Sequence, residues 1–342
     1  MLMLKKCIVW DLDNTLWDGI CLEGDVTIRP AIRDVISRLD SRGIIHSIAS
    51  RSEEEVAMKV LQDQDMIHYF ISPKINWLPK TTNIIAITKA LDISLDSVAF
   101  VDDDPFEINQ VQFMLPDVMT FDSKDAAQLA DMPEFDPGFI TTESKSRREF
   151  YQTEKKREKA EQQFSSREEF LVSCKMNLSI RLMNQQDIPR VSELMTRTHQ
   201  LNTTGQIFER DKLVEIAHHK NEGEVIYIAE LRDKFGWNGI IGTAIINCTS
   251  TNFRIIFFAM SCRILGRGIE RAFLLSLVKK AIEKGYRKIE ALYRNTGRNK
   301  MMRALYQMSS FTNERKLADQ TMIFKINNNR IPDIPHWVEV LC

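Results

Sequence analysis

Two apolar runs of this chain end in paired acids: KCIVWDLD (6–13) and SVAFVDDD (97–104). Strands that are apolar throughout need cover on both faces, which is the situation of a parallel sheet packed between helices. Three further runs, GIIHSIAS (43–50), HYFIS (68–72) and VMTFD (118–122), are separated by helix-like stretches. One such stretch, Ser52 to Leu61, opens with Ser52 and Glu55 in the spacing of a capping box. The alternation predicts a doubly wound α/β domain, whose ligands sit beyond the carboxyl ends of its strands. The acids of the first and fourth runs fall at those ends.

The 342 residues suffice for two domains, and three regions are expected. Residues 1–140 form the parallel-sheet domain. Residues 141–174 are a charged helical linker: ESKSRREFYQTEKKREKAEQQF has no Gly or Pro and only sparse aromatics, as in a solvated helix with a narrow apolar stripe. Ser166 with Glu169 then marks a fresh helix start. Residues 175–342 follow a mixed α+β order. Its expected strands are 177–183, 224–231, 239–248, 253–261, 288–293 and 321–326, with helices after NQQD and over 268–284 and 299–308.

Charge and cysteine use narrow the class of function. A formal net charge of −1 gives no surplus to displace counterions from nucleic-acid phosphates, so no nucleic acid is expected as partner. No apolar run reaches the length of a membrane span, and the N-terminus lacks a secretory layout. Cys7, Cys21, Cys174, Cys248, Cys262 and Cys342 lie far apart and make neither a zinc pattern nor a disulfide framework, so a cytoplasmic location is expected.

Asp11 and Asp13, two apart in an extended segment, point the same way and can converge on one metal and one phosphate. Further along, Ser50 closes the second run as a hydroxyl donor, Lys80 supplies a point charge, and Asp102 with Asp103 closes the fourth. Each acid alone reads as a strand-end cap or a surface charge. That reading does not explain four such groups at successive strand ends.

The series Asp-x-Asp-Asn-Thr, Ser, Lys, Asp-Asp resembles the four-part signature of the haloacid dehalogenase superfamily. More narrowly, VWDLDNTLWDG, SIASRS, NWLPK and VAFVDDDPFE look like its FkbH-like branch. The segment ESKSRREFYQTEKKRE and the stretch RTHQLNTTG (197–205) are also similar to what that branch carries, so the resemblance spans essentially the whole chain. It implies that Asp11 attacks phosphorus and that Asp13 protonates the leaving group and then activates water. Asp11, Asp13, Asp102 and Asp103 would hold Mg²⁺, Ser50 and Lys80 would hold the phosphoryl oxygens, and Thr15 would order the turn. The implied reaction turns a phosphorylated three-carbon acyl donor, 1,3-bisphosphoglycerate, into a glyceryl or related hydroxyacyl thioester on an acyl carrier protein for polyketide-type assembly. Many relatives place a cysteine directly before the serine, where this chain has Ala49. Cys21, in the segment expected to fold over the site, is the substitute acyl-thioester candidate; it also reads as a small apolar flap residue. Direct attack by the carrier thiol needs no cysteine.

The last region resembles the Gcn5-related N-acetyltransferase fold through Arg263-Ile-Leu-Gly266-Arg267-Gly268, set between a strand and a helix. Such a loop suits coenzyme A or the phosphopantetheine of a carrier. Asn295 and Tyr306 would stand near the thiol, and His199, Asn202 and Thr203 would line an acyl site or serve as cap and turn residues. His218 and His219 read as solvated. A fold kept only for carrier docking is the alternative. Two other functions are compatible: a small-molecule phosphatase fused to an acetyl-CoA-dependent N-acetyltransferase, and a non-catalytic scaffold.

Overall fold

The computed structural model describes residues 4–198, 200–218, 223–327 and 330–341. The chain divides into two compact units, Met1–Lys155 and Lys156–Cys342. His199, His219 and Cys342 lie outside the described residues.

The first unit is built on a five-stranded parallel sheet in the order Lys74–Ile75, Ile45–Ser50, Cys7–Trp10, Val98–Asp102, Met119–Asp122. Cys7–Trp10 is the middle strand, and its four side chains are fully buried because both faces are covered. Ile8 and Trp10 join one apolar cluster with Ile32, Leu39 and Leu61, from the helices Pro30–Ser41 and Glu54–Asp63. Cys7 and Val9 join the other, with Ile84 and Val111 from the helices Lys80–Leu91 and Pro105–Met114. The chain leaves the central strand toward one edge and later returns to its other side. The topological switch point therefore lies at the carboxyl ends of Cys7–Trp10 and Val98–Asp102.

Two local expectations are corrected. HYFIS is not a strand: Ile67–Tyr69 is a 3₁₀ turn and only Phe70 makes a bridge, to His46, while the edge strand is Lys74–Ile75. Ser52 does not cap a helix. The helix starts at Glu54 without a side-chain cap, and the buried Ser52 hydroxyl instead lies 3.4 Å from the thiol of Cys21.

The charged stretch 141–174 is divided between the units, its residues up to Lys155 belonging to the first and those from Lys156 to the second. On the first, Arg148 donates to Asp40 at 3.0 Å and the Tyr151 hydroxyl to the Leu91 carbonyl at 3.1 Å. In the second, Arg157 donates to Asp233 at 2.6 Å, and Phe170, Leu171 and Cys174 are core residues. Its scattered arginines and aromatics are anchors with distant partners, which a count of charge cannot distinguish from solvated ones. Ser166 does cap its helix, accepting from the Glu169 amide.

The second unit carries an eight-stranded mixed sheet. Its order is Phe311–Lys316, Met322–Ile326, Lys288–Tyr293, Asn252–Met260, Gly236–Cys248, Glu224–Asp233, Met176–Leu182, Val338–Leu341. The two edge strands and the helix Arg210–His218 were not anticipated. FTNERK shows why: past Phe311 every residue of that strand is exposed and mostly polar, as suits a sheet edge but not a periodic apolar pattern. Asn252–Met260 and Lys288–Tyr293 run parallel but pair only over Asn252–Ile255 and Lys288–Ala291. No helix among the described residues is long and apolar enough to cross a membrane.

Candidate active site

The switch point of the first unit gathers most of the expected groups. Asp11 follows the central strand, its amide donating to the Val101 carbonyl at 2.9 Å, and Asp102 ends the neighbouring strand. Lys80 is the first residue of its helix, after a loop held by reciprocal amide bonds between Asn76 and Asn83 at 3.0 and 3.2 Å. Its ammonium donates to Asp11 Oδ1 at 2.8 Å and to Asp102 Oδ2 at 2.5 Å, all three side chains being buried. Asp103 stands beside them: one oxygen each from Asp11, Asp102 and Asp103 lie within 4.8 Å of one another. Thr15, fully buried, donates to Asp103 at 3.4 Å and shapes the turn through its amide bond to the Leu12 carbonyl.

Burial pushes the Asp11 carboxyl up, against the pull of Lys80 and Ser50. Asp102 is pushed up to about 7 by burial and by Asp11, with Lys80 opposing. Burial would lower the Lys80 ammonium, but Asp11 and Asp102 outweigh it and hold the proton on. Three carboxyl groups, two of them buried, face one ammonium, and a small hard cation would favour their ionised forms. All-oxygen donors of this kind suit Mg²⁺.

Asp13 is placed differently. Its carboxylate is outside that triad of ligand atoms, and its Oδ1 accepts from Trp17 Nε1 at 2.8 Å and from the Cys21 amide at 3.0 Å. Both donors belong to a flap in which Trp17–Asp18 pairs with Thr27–Ile28. Cys21 is 7% exposed, and burial raises its thiol above the ordinary cysteine range, with Ser52 pulling the other way. That is a poor thiolate. Ala49, directly before Ser50, is a fully buried strand residue. Sequence reasoning missed Trp17 and the pair Arg51–Glu107, which joins the loop after Ile45–Ser50 to the first turn of the helix Pro105–Met114 at 3.0 Å. Arg51 directly follows Ser50, and that adjacency was the available signal.

The second unit separates the residues expected around its glycine loop. Gly266 and Gly268 adopt φ of +77° and +76°, Gly268 being the N-cap of the helix Ile269–Glu283. Both line a cavity of about 710 Å³. The other four do not line it. Arg263 donates to Ser261 and to the Asn238 carbonyl. Arg267 is buried, donates to the Arg263 carbonyl at 2.9 Å and stands 3.8 Å from Asp233. Asn295 is exposed and caps its own turn through the Gly297 amide. Tyr306 is 0% exposed with its hydroxyl on the Leu292 carbonyl, and burial drives its pKa up. Loop spacing is legible in a sequence; the partners that turn a side chain inward are not.

Asn202 and Thr203 close the gap where the two parallel strands diverge. The Met260 amide donates to the Leu201 carbonyl at 2.9 Å, Thr203 exchanges bonds with Phe258, and the Arg294 amide donates to the Thr203 carbonyl at 2.9 Å. Asn299 donates to the Asn202 carbonyl at 2.8 Å. Thr203 thus ties the segment to the strand Asn252–Met260 and to Arg294.

No family model matches the chain. It is 30% identical over 124 residues to human magnesium-dependent phosphatase 1, a match covering 30% of this chain and 70% of that protein. Among solved structures, the N-terminal part of a Bacteroides fragilis protein, containing a phosphatase domain complexed with Mg, is similar at 30% identity with a TM-score of 0.33. That match spans 36% of this chain and only 38% of the other. The PaiA N-acetyltransferase of Thermoplasma acidophilum, solved in complex with coenzyme A, is similar at 15% identity and a TM-score of 0.37, over 44% of this chain and 98% of that one.

Proposed function

Because the chain belongs to the family of magnesium-dependent phosphatase 1, a haloacid dehalogenase-like family, we propose that its first unit moves a phosphoryl group through Asp11. The observation that carries this is the buried assembly of Lys80 with Asp11 and Asp102, flanked by Asp103. Mg²⁺ held by those three carboxylates would offset charge on the phosphoryl oxygens. An Asp11 oxygen attacks phosphorus while the bond to the leaving oxygen breaks, and Asp13 gives that oxygen a proton. Water then attacks the aspartyl-phosphate, Asp13 takes its proton, and phosphate leaves. Lys80 and Ser50 hold the equatorial oxygens.

For the whole protein we propose the hydroxyacyl-thioester reaction that the sequence resemblance implies. The thiolate of a carrier's phosphopantetheine attacks the acyl carbon of 1,3-bisphosphoglycerate, the acyl-to-phosphate bond breaks, and Asp11 removes the second phosphate. The buried, protonated Cys21 and the presence of Ala49 support direct attack by the carrier thiol rather than an enzyme-bound relay. The setting proposed is cytoplasmic. Protein, Mg²⁺, bisphosphoglycerate and a holo-carrier together should raise the carrier's mass by one glyceryl unit, and with Asp11→Asn the carrier should instead gain the mass of a phosphoglyceryl unit. Phosphate release from free esters together with acetyl transfer from acetyl-CoA to an amine would instead favour the phosphatase–N-acetyltransferase fusion.

A further inference from the structure

We propose that Arg51, anchored by Glu107, is a second anion subsite of the phosphoryl site, and that it selects substrates carrying another anionic oxygen group a few atoms from the phosphoryl group that Asp11 receives. This rests on the phosphoryl reading above and narrows its substrate class.

Arg51 directly follows Ser50, the last residue of its strand, and adjacent Cα atoms stand about 3.8 Å apart. Its partner Glu107 lies in the first turn of the helix Pro105–Met114, just beyond Asp102 and Asp103. The pair therefore fixes the guanidinium between the two strand ends that carry the phosphoryl chemistry. Its members are unequally placed, the Glu107 side chain being 4% exposed and that of Arg51 38%. A carboxylate so buried needs a cation, and the first turn of a helix favours its charge. Yet the contact is single-pointed. Arg51 Nη1 meets Glu107 Oε1 at 3.0 Å, while Oε2 is buried and bonds nothing. An arginine and a carboxylate that serve only each other commonly close a two-point fork. Here one corner of the guanidinium is held, and its remaining N–H donors have no other partner among the described residues. A planar donor fork fixed on one side and open on the other is prearranged for an anion.

The neighbouring cations cannot take this part. Lys80 is committed to Asp11 and Asp102 at 2.8 and 2.5 Å. Arg29 is committed to Asp18 and to the Thr15 carbonyl in the flap. The other charged groups of the site, Asp13, Asp103 and Asp104, are carboxylates that repel a second anion unless a cation meets it. A substrate with a single phosphate needs no cation beyond Lys80 and the metal, so a further anchored guanidinium suits a substrate with two anionic ends. In the proposed reaction the second anion is the acyl phosphate of the donor.

Two esters that differ in the second anion, 3-phosphoglycerate and glycerol 3-phosphate, test this on the full chain with Mg²⁺, the carboxylate standing for the acyl phosphate. The kcat/KM for phosphate release should favour 3-phosphoglycerate by at least about tenfold, as for one hydrogen bond to a charged group. Arg51→Met should bring that ratio to within about threefold of unity, and Arg51→Lys, which keeps the charge, should retain part of it. Glu107→Gln should lower the ratio through KM rather than kcat, a split that a general loss of stability does not produce. Calorimetric titration of Asp11→Asn with the same esters reads the subsite without turnover. The same preference should appear there and vanish when Arg51→Met is added. Equal affinity for the two esters, a preference that survives Arg51→Met, or no binding of either ester would each overturn the proposal. No phosphate release by the wild type, with the binding preference intact, would instead sink the phosphoryl reading and leave the subsite standing.

Discussion

Replacing Lys80 with Met removes the ammonium that stands between Asp11 and Asp102. At 2.8 and 2.5 Å and an effective dielectric of about 20, the two attractions are worth about 6 and 7 kcal/mol before desolvation is charged against them. Measured losses on breaking buried pairs are smaller, about 3 to 5 kcal/mol, because the stranded carboxylate recovers part by taking up a proton. For a unit of this size that corresponds to a fall in melting temperature of roughly 6 to 20 °C without metal. Saturating Mg²⁺ should recover more of the fall in the variant than it adds to the wild type, since the ion replaces the missing charge. Turnover is hit independently: losing one cation aimed at the transferring oxygens costs about 10²- to 10³-fold in kcat. Calorimetric melting with and without Mg²⁺, plus phosphate release from a generic phosphate monoester, reads both effects. A variant that melts like wild type and turns over within about threefold of it would refute the assignment.

Other consequences follow from single contacts. Asp13→Asn keeps an oxygen to accept from Trp17 and Cys21 but cannot shuttle a proton, so it should fold normally, lose about 10²- to 10⁴-fold in turnover, and show a trapped phosphoenzyme by mass spectrometry. Cys21→Ser should leave carrier loading within about threefold of wild type, measured by carrier mass; complete loss would restore the thioester-relay reading. His46 is buried, accepts from Trp10 Nε1 at 3.0 Å, and burial depresses its pKa from 6.5 to about 3. The folded state therefore binds fewer protons than the unfolded one between those values. Stability that is complete above pH 6.5 should fall by about 1.4 kcal/mol per pH unit on acidification toward 3. Urea unfolding at pH 7 and pH 5 should show this slope as the difference between the wild type and His46→Gln, because the raised Asp102 carboxyl contributes equally, and in the opposite sense, to both.

The phosphoryl site was largely legible because the central strands of a doubly wound sheet admit few alternatives. Asp11 and Asp102 follow or end fully apolar strands, and their meeting at the switch point is a consequence of strand order. Lys80 could be named but not its double contact, since its helix position depends on the Asn76–Asn83 clasp. The role of Asp13 was half legible. Its chemistry came from the motif, while its bonds to Trp17 and Cys21 depend on how the flap folds back. In the second unit the glycines carried a backbone signal, and Gly266 and Gly268 both adopt positive φ beside one cavity. The partners of Arg267 and Tyr306 were not legible, because Asp233 and the Leu292 carbonyl are brought to them only by the finished sheet.

The bonds from Trp17 and Cys21 to Asp13 would make the proposed proton donor also a latch. A carboxylate is a stronger acceptor than a carboxylic acid. In the proposed reaction Asp13 would hold the flap most firmly once its proton has gone to the leaving oxygen, and less firmly once it has taken one from the attacking water. Gate position and reaction stage would then be set by the same proton, with no separate signal required.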